Sequence, residues 1–182
     1  MNSFFNYTYY RYSDKEGLFF KLKCFLTVPG FRFAILKNWL LNSKKYSPLF
    51  FLLSIWFKNI KVKYGYQIPY TTKIGYGLFL PHFGNIVINK QVVIGNNCNI
   101  AQGVTIGQIN VGVKKGCPEI GNKVWIGANA VVVGKIKIGN DVMIAPLTYV
   151  NFDVPDGCLV IGNPAKVIEG YSTLGYINNV LE

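Results

Sequence analysis

Residues 120–144 read IGNKVWIGANAVVVGKIKIGNDVMI, and the spacing of the aliphatic residues in this run decides the fold. Ile120, Ile126, Val132, Ile138 and Ile144 fall six apart, and Val150 continues the series. Upstream, Ile88, Ile94, Ile100 and Ile106 keep the same step. Small or β-branched residues often stand two places earlier: Val92, Val104, Val124, Ala130, Val142 and Thr148. Neither the 3.6-residue helix nor the two-residue strand produces a strict period of six. A triangular solenoid does, with each hexad one short flat strand plus its corner and three hexads to a coil. Gly95-Asn96-Asn97, Gly121-Asn122 and Gly139-Asn140 are expected at corners, where glycine and asparagine supply positive φ. A β-sandwich would instead scatter its strand lengths and alternate polar with apolar residues. The patterned stretch runs from Ile68 to Ile168. With strands about 4.8 Å apart, five to six coils make a short prism. Such a prism is too narrow to enclose a ligand, so its site is expected on loops or between copies of the chain.

The 182 residues suffice for this domain and an appendage. The net charge of +11 is unevenly spread. Residues 1–66 carry 11 lysines and arginines against Asp14 and Glu16, whereas the remainder carries 8 against 6 acidic residues. The basic excess therefore belongs to the appendage. The N-terminus, Met1 to Gly17, shows no signal-peptide-like apolar run. Four cysteines, Cys24, Cys98, Cys117 and Cys158, show no metal spacing and read as reduced thiols of a cytoplasmic protein.

Residues 1–13 read as irregular. A helix is expected from Asp14 to about Thr27, with Ser13 as its cap, and Pro29-Gly30 breaks it. A second follows from Phe31 to about Leu41. A third runs from Pro48 to about Asn59, with Ser47 as cap and proline in the first turn. This third helix is apolar nearly all round, so it must be buried somewhere. It is too short to span a bilayer. Packing against the other helices and a neighbouring copy is one reading. Because lysines and aromatics interleave, the other is peripheral membrane contact through residues 14–60. No nucleic-acid motif accompanies the charge, and nucleic acid is not expected as a partner. These features divide the chain into an appendage (1–66), a prism domain (67–170) and a tail (171–182) to which no role is assigned.

The period is interrupted twice. Ile68, Ile74 and Leu80 are six apart, but after Pro81-His82-Phe83-Gly84-Asn85 the series resumes out of phase at Ile88. Fourteen residues then separate Ile106 from Ile120, so the segment Gln108–Cys117 forms a second loop. Interrupted repeats commonly carry function, and the chain's one histidine, His82, lies in the first interruption.

The hexad pattern resembles that of the hexapeptide-repeat acyltransferases over roughly 100 residues. Three runs are similar to the core of the serine O-acetyltransferase branch: Pro81-His82-Phe83-Gly84-Asn85, Gln102-Gly103-Val104-Thr105-Ile106-Gly107 and Pro118-Glu119-Ile120-Gly121. Val124-Trp125-Ile126-Gly127-Ala128-Asn129-Ala130 and Gly162-Asn163-Pro164-Ala165 extend the likeness. The resemblance implies an all-β fold, a left-handed parallel β-helix, preceded here by a short helical appendage. It implies acetyl-CoA as donor and a homotrimer, or a dimer of trimers, with the donor lying between protomers. His82 matches the branch's catalytic base. Gly107, Gln108, Gly127, Ala128 and Ala145 match the backbone groups that hold the donor, and Lys166 is a candidate for a CoA phosphate. Asn85, Gln102 and Cys117 are candidate substrate contacts, and Asn85 and Glu119 are candidates to orient His82. No metal site is expected; the three-histidine zinc site of a γ-class carbonic anhydrase cannot be built from one histidine.

The departures shape the substrate reading. In serine acetyltransferases an aspartate precedes the catalytic histidine, where this chain has Pro81. A second histidine stands where this chain has Cys117. Pro146 stands where that family has a small residue with a free amide. The short basic helical segment is similar instead to acetyltransferases of capsule, lipopolysaccharide and colanic-acid clusters. The expectation is an O-acetyltransferase acting on a sugar hydroxyl of a surface polysaccharide or its precursor. Serine O-acetylation and sugar N-acetylation are the alternatives, and a catalytically dead trimeric scaffold is the non-enzymatic one.

Overall fold

A computed structural model describes residues 2–180 of the chain. Four helices come first: α1 (Asn2–Tyr10), α2 (Leu18–Thr27), α3 (Pro29–Asn42) and α4 (Pro48–Tyr64). The strands that follow are β1 (Tyr66–Gln67), β2 (Lys73–Ile74), β3 (Ile86–Ile88), β4 (Val93–Ile94), β5 (Asn99–Ile100) and β6 (Thr105–Gly107). After the second loop come β7 (Glu119–Ile120), β8 (Trp125–Ile126), β9 (Val131–Val133), β10 (Lys137–Ile138), β11 (Met143–Ile144) and β12 (Tyr149–Val150). A hairpin of β13 (Cys158–Gly162) and β14 (Ala165–Glu169) closes the prism.

The strands stack into three sheets, the faces of a triangular prism. The first face runs β1-β3-β6-β9-β12, the second β2-β4-β7-β10, and the third β5-β8-β11-β13-β14. The chain visits the faces in turn, so the five strands of the first face mark five coils of a left-handed parallel β-helix. Register follows the hexads. Ile88, Ile106, Val132 and Val150 pair in sequence on the first face; Ile94, Ile120 and Ile138 on the second; Ile100, Ile126, Ile144 and Val160 on the third. These side chains are all buried, as are the residues two places before them, so the interior is a continuous apolar column.

The corners follow the expected rule only in part: asparagine supplies a positive φ at Asn97, but the glycines do not. Gly95, Gly121 and Gly139 do not hold the positive φ; Asn97, Lys123 and Asp141 do, at 57°, 53° and 54°. The glycines are needed because the coils approach closely there. A Cβ on Gly95 would lie 2.6 Å from the Gly121 carbonyl oxygen, and one on Gly121 2.6 Å from that of Gly139. Beside them the Asn96 side chain accepts from Tyr76 N–H, Asn122 from Asn96 N–H, Asn140 from Asn122 N–H, and Asp156 from Asn140 N–H, at 2.7–3.1 Å.

The helical segment corrects several sequence expectations. Residues 2–10 are helical because tertiary contacts override a weak local pattern: Thr8 and Tyr9 are buried, and Tyr9 lies edge-on to Phe31. Helix α2 begins at Leu18 and not Asp14, with Gly17 at its cap; Ser13 Oγ accepts from Lys15 N–H in the turn before it. Pro29 opens α3 at its first turn, where a missing N–H costs nothing. Ser47 caps α4 as expected, accepting from Phe50 N–H at 3.1 Å, but the helix continues to Tyr64 and ends on left-handed Gly65. Phe33, Leu36, Leu53, Phe57 and Ile60 join the same core cluster as Tyr66, Ile68 and Leu80, so α3 and α4 plug the open end of the prism. The tail is also docked. Ile177 and Thr173 are buried, Trp125 packs against Tyr176 at 5.5 Å, and Asp141 accepts from the Thr173 amide at 2.8 Å.

Candidate active site

The first interruption occurs where the chain should turn from the third face to the first. Phe79 still pairs with Asn99, and Ile86 begins β3, but the residues between bulge out of the coil. His82 is exposed within this loop. The helical segment holds both feet of this loop. At the leading foot, Tyr12 Oη accepts from Leu80 N–H at 2.9 Å and donates to Leu78 C=O at 3.1 Å. Burial, outweighing the opposing hydrogen bond, pushes the Tyr12 phenol well above its ordinary pKa, so it stays a protonated donor. Gly30, at the start of α3, touches the same foot: a Cβ there would sit 2.3 Å from the Leu80 oxygen. At the trailing foot, Gly84 N–H donates to Tyr64 C=O at 2.9 Å and Ile86 N–H to Gly65 C=O at 3.0 Å. Phe83 packs near Tyr64, with ring centroids 5.9 Å apart. Gln102 lies beneath, its Cβ 3.1 Å from where a Gly84 Cβ would be. No sequence signal named Tyr12 or Gly30, because their role exists only once α1 and α3 dock.

Strand register sorts the other candidates onto two edges of the prism. On the third-to-first edge lie His82, Gln102, Gly127, Ala128 and Ala145, one above another; Lys166 pairs with Ile161 near its far end. On the first-to-second edge lie Gly107, Gln108 and Cys117. The sequence candidates are therefore not one cluster within one chain. The amides of Gly127 and Ala145 are already committed to Ile144 and Val160 carbonyls at 2.8 Å, which leaves them unable to donate to a ligand. Asn85 accepts from Gln67 Nε2 at 3.2 Å, and Glu119 begins a second-face strand; neither hydrogen-bonds His82 within the chain. Among the described residues no hydrogen bond or ion pair holds the His82 ring.

The second loop is a hairpin pinned by reciprocal bonds between Ile109 and Gly116, each 3.0 Å. Cys117 follows it, half-buried, with Sγ 3.9 Å from Gln91 Oε1. Burial raises its thiol pKa, so it is a neutral wall residue and a poor nucleophile at neutral pH. Among the described residues no three His, Cys, Asp or Glu side chains gather into a metal-binding group.

One feature of the site was invisible in the sequence. An open groove of about 670 Å³ lies between the end of α4 and the first face, lined by Lys61, Gly65, Gln67, Asn89 and Lys90 among others. Gln67 bonds Asn85 beside the His82 loop, while Asn89 Nδ2 donates to Gln108 Oε1 at 3.3 Å. The groove thus runs across the first face from one candidate edge toward the other. Burial lowers the Lys61 pKa, although its ammonium and that of Lys90 still make the groove cationic.

Comparison with known proteins gives a consistent picture. The family described as bacterial transferase hexapeptide (six repeats) matches residues 118–151. A serine acetyltransferase of Synechococcus elongatus is 38% identical over 104 residues, covering 57% of this chain and 43% of that protein. A protein of Escherichia coli (strain K12) named for colanic acid biosynthesis acetyltransferase activity is 39% identical over 105 residues, covering 57% of this chain and 64% of the other. The chain thus spans roughly half the length of such relatives. Among solved structures, Neisseria gonorrhoeae serine acetyltransferase in complex with serine superposes with a TM-score of 0.69. It is 31% identical, with 91% of this chain and 66% of that one covered. A serine acetyltransferase in complex with CoA gives a TM-score of 0.66 at 28% identity, covering 81% of this chain and 60% of that one.

Proposed function

We propose, from the chain's similarity to serine acetyltransferases and to the hexapeptide-repeat transferases, that it moves an acetyl group from acetyl-CoA to a hydroxyl, with His82 as general base. The observation that carries this reading is the loop geometry. The chain's one histidine is exposed in a loop whose two feet are fastened to the helical segment. An imidazole nitrogen of His82 takes the acceptor's hydroxyl proton as that oxygen attacks the thioester carbonyl. The C–S bond then breaks, and the imidazolium returns the proton to the departing thiolate, giving the ester and free CoA. No acyl-enzyme forms, in keeping with the neutral state of the Cys117 thiol.

The similarity to a CoA-bound serine acetyltransferase supports the donor. With the Gly127 and Ala145 amides occupied, the third-to-first edge would hold CoA through Ala128 and side chains, with Lys166 taking a phosphate. Gly107, Gln108 and Cys117 would complete the site from a neighbouring copy, whose first-to-second edge would face His82 in a homotrimer. That copy would also supply the group that orients the imidazole. Free thiols at all four cysteines support a cytoplasmic setting.

For the acceptor, the comparisons favour serine over the sugar expected from the sequence, because serine acetyltransferases predominate among the similar proteins. One observation keeps the sugar reading as the second. From Gly17 to Pro118, a span that contains both interruptions and the groove, the chain carries no aspartate or glutamate. A carboxylate to receive serine's ammonium would have to come from elsewhere, whereas a cationic groove suits an acidic or phosphorylated sugar. The test is CoA release from acetyl-CoA with L-serine in one series and glycans or nucleotide sugars in another. Release with serine alone establishes the first reading; release with a glycan alone establishes the second.

A further inference from the structure

The nearly all-apolar third helix of the sequence, expected to be buried somewhere, buries only one face within the chain. Helix α4 buries Leu53, Phe57 and Ile60 against α3 and the prism but leaves Leu49, Phe51, Leu52 and Ile55 more than half exposed. Helix α2 does the same: Leu18, Leu22 and Leu26, spaced four apart on one face, are 82%, 55% and 60% exposed. The two helices meet where Phe25 lies edge-on to Trp56 at 5.6 Å, so these apolar stripes flank one another on one side of the molecule. Exposed patches of this kind mark interaction surfaces.

The charge identifies the partner. Residues 17–66 contain nine lysines and arginines and no acidic residue. Lys23, Lys44, Lys45, Lys58 and Lys63 are exposed around the apolar stripes. Two such faces brought together in a self-dimer would set cation against cation with nothing to neutralise them. A polyanion would satisfy the lysines but leave the leucines in water. An anionic lipid surface satisfies both. No helix among the described residues is long and apolar enough to cross a membrane. We propose that α2 and α4 dock the protein flat on a membrane rich in anionic lipid, their leucines entering the headgroup–acyl boundary and their lysines facing the phosphates. None of the exposed leucines of this surface is among the residues that anchor the His82 loop, and the inference stands or falls independently of the acetyl-transfer reading.

The test is co-sedimentation of the full chain with vesicles of phosphatidylcholine alone and of phosphatidylcholine mixed with phosphatidylglycerol. Binding should require phosphatidylglycerol, weaken as salt rises, and drop by about tenfold or more in Leu22→Glu/Ile55→Glu. Both positions are exposed, so circular dichroism of the double variant should match the parent. Replacing Lys23, Lys44 and Lys45 by Gln should also weaken binding, by about fivefold per lysine that meets the lipid surface. Equal binding to neutral vesicles, or none to either, overturns the proposal. So does a fall in oligomer mass in Leu22→Glu/Ile55→Glu, which would make the face an interface between copies. Binding to dextran sulfate in place of vesicles, unchanged in that variant, would assign the cations to a polyanion and overturn it as well.

Discussion

Tyr12 shows how a residue remote in sequence sets the geometry of the His82 loop. Its hydroxyl is shared between Leu78 C=O and Leu80 N–H, one residue short of Pro81. Replacing it with phenylalanine keeps the ring contacts with Phe31 and Phe79 but strands a backbone donor and acceptor. Tyr12→Phe should cost about 1–3 kcal/mol in denaturant unfolding. It should also lower kcat for acetyl transfer while leaving KM for acetyl-CoA close to the parent value, because Ala128 and Lys166, the contacts proposed for the donor, lie in later coils and do not touch Tyr12. An unaltered kcat would show that the loop does not depend on this anchor.

At the scale of the elements, α3 carries a lysine where the core should be apolar. Lys37 is 5% exposed, and burial lowers its pKa to about 8. Between that value and the unfolded value of 10.5, the unfolded chain binds more protons than the folded one. Stability attributable to Lys37 therefore rises with pH across this window, and below pH 8 the folded state bears the full cost of a buried charge. Lys37→Met should raise the melting temperature at neutral pH, worth on the order of 2–3 kcal/mol, and flatten the alkaline rise. A melting temperature unchanged at pH 7 would contradict this. The elements also divide by how well the sequence announces them. The prism strands were legible because every hexad repeats one demand, an aliphatic residue facing inward beneath its neighbour. The corner glycines were placed correctly for the wrong reason: position reads from the repeat, but whether φ or coil-to-coil approach requires glycine depends on atoms 26 or 18 residues away. Helix α1 was illegible because its stability comes from docking against Phe31 and the first coil, not from its own periodicity.

At the scale of the whole molecule, distant parts of the chain secure one another. Arg11 bonds the Gly77 and Asn178 carbonyls and the Asn99 side chain, tying the first helix, the first coil and the tail together. A second tie to the tail is made by Asp141. Burial alone would raise its pKa, but the hydroxyl and amide of Thr173 outweigh that and hold it below 3.8. Its contribution is thus present above the unfolded carboxylate range and is lost as pH falls through the lowered value. Asp141→Asn should loosen residues 171–178 at neutral pH, seen as faster amide exchange confined to the tail. The parent chain should show the same only in acid, and tail exchange unaffected by the substitution would exclude the tie. The candidate site is a whole-molecule property in the same sense. His82 was legible as the lone histidine in a broken repeat. The two-edge arrangement, the groove and the loop's anchors were not, since each depends on which coils and helices become neighbours.

If His82, presented on its anchored loop, takes the acceptor proton, its removal must cut turnover without abolishing donor binding. The most direct measurement compares CoA release from acetyl-CoA by the parent chain and by His82→Ala in the presence of the acceptor that works best, serine or sugar. Since His82 is exposed and unbonded among the described residues, the variant should fold and melt like the parent. Acceptor-dependent release should fall by about 10²-fold or more, while acetyl-CoA binding persists. Release by His82→Ala at the parent rate would contradict it.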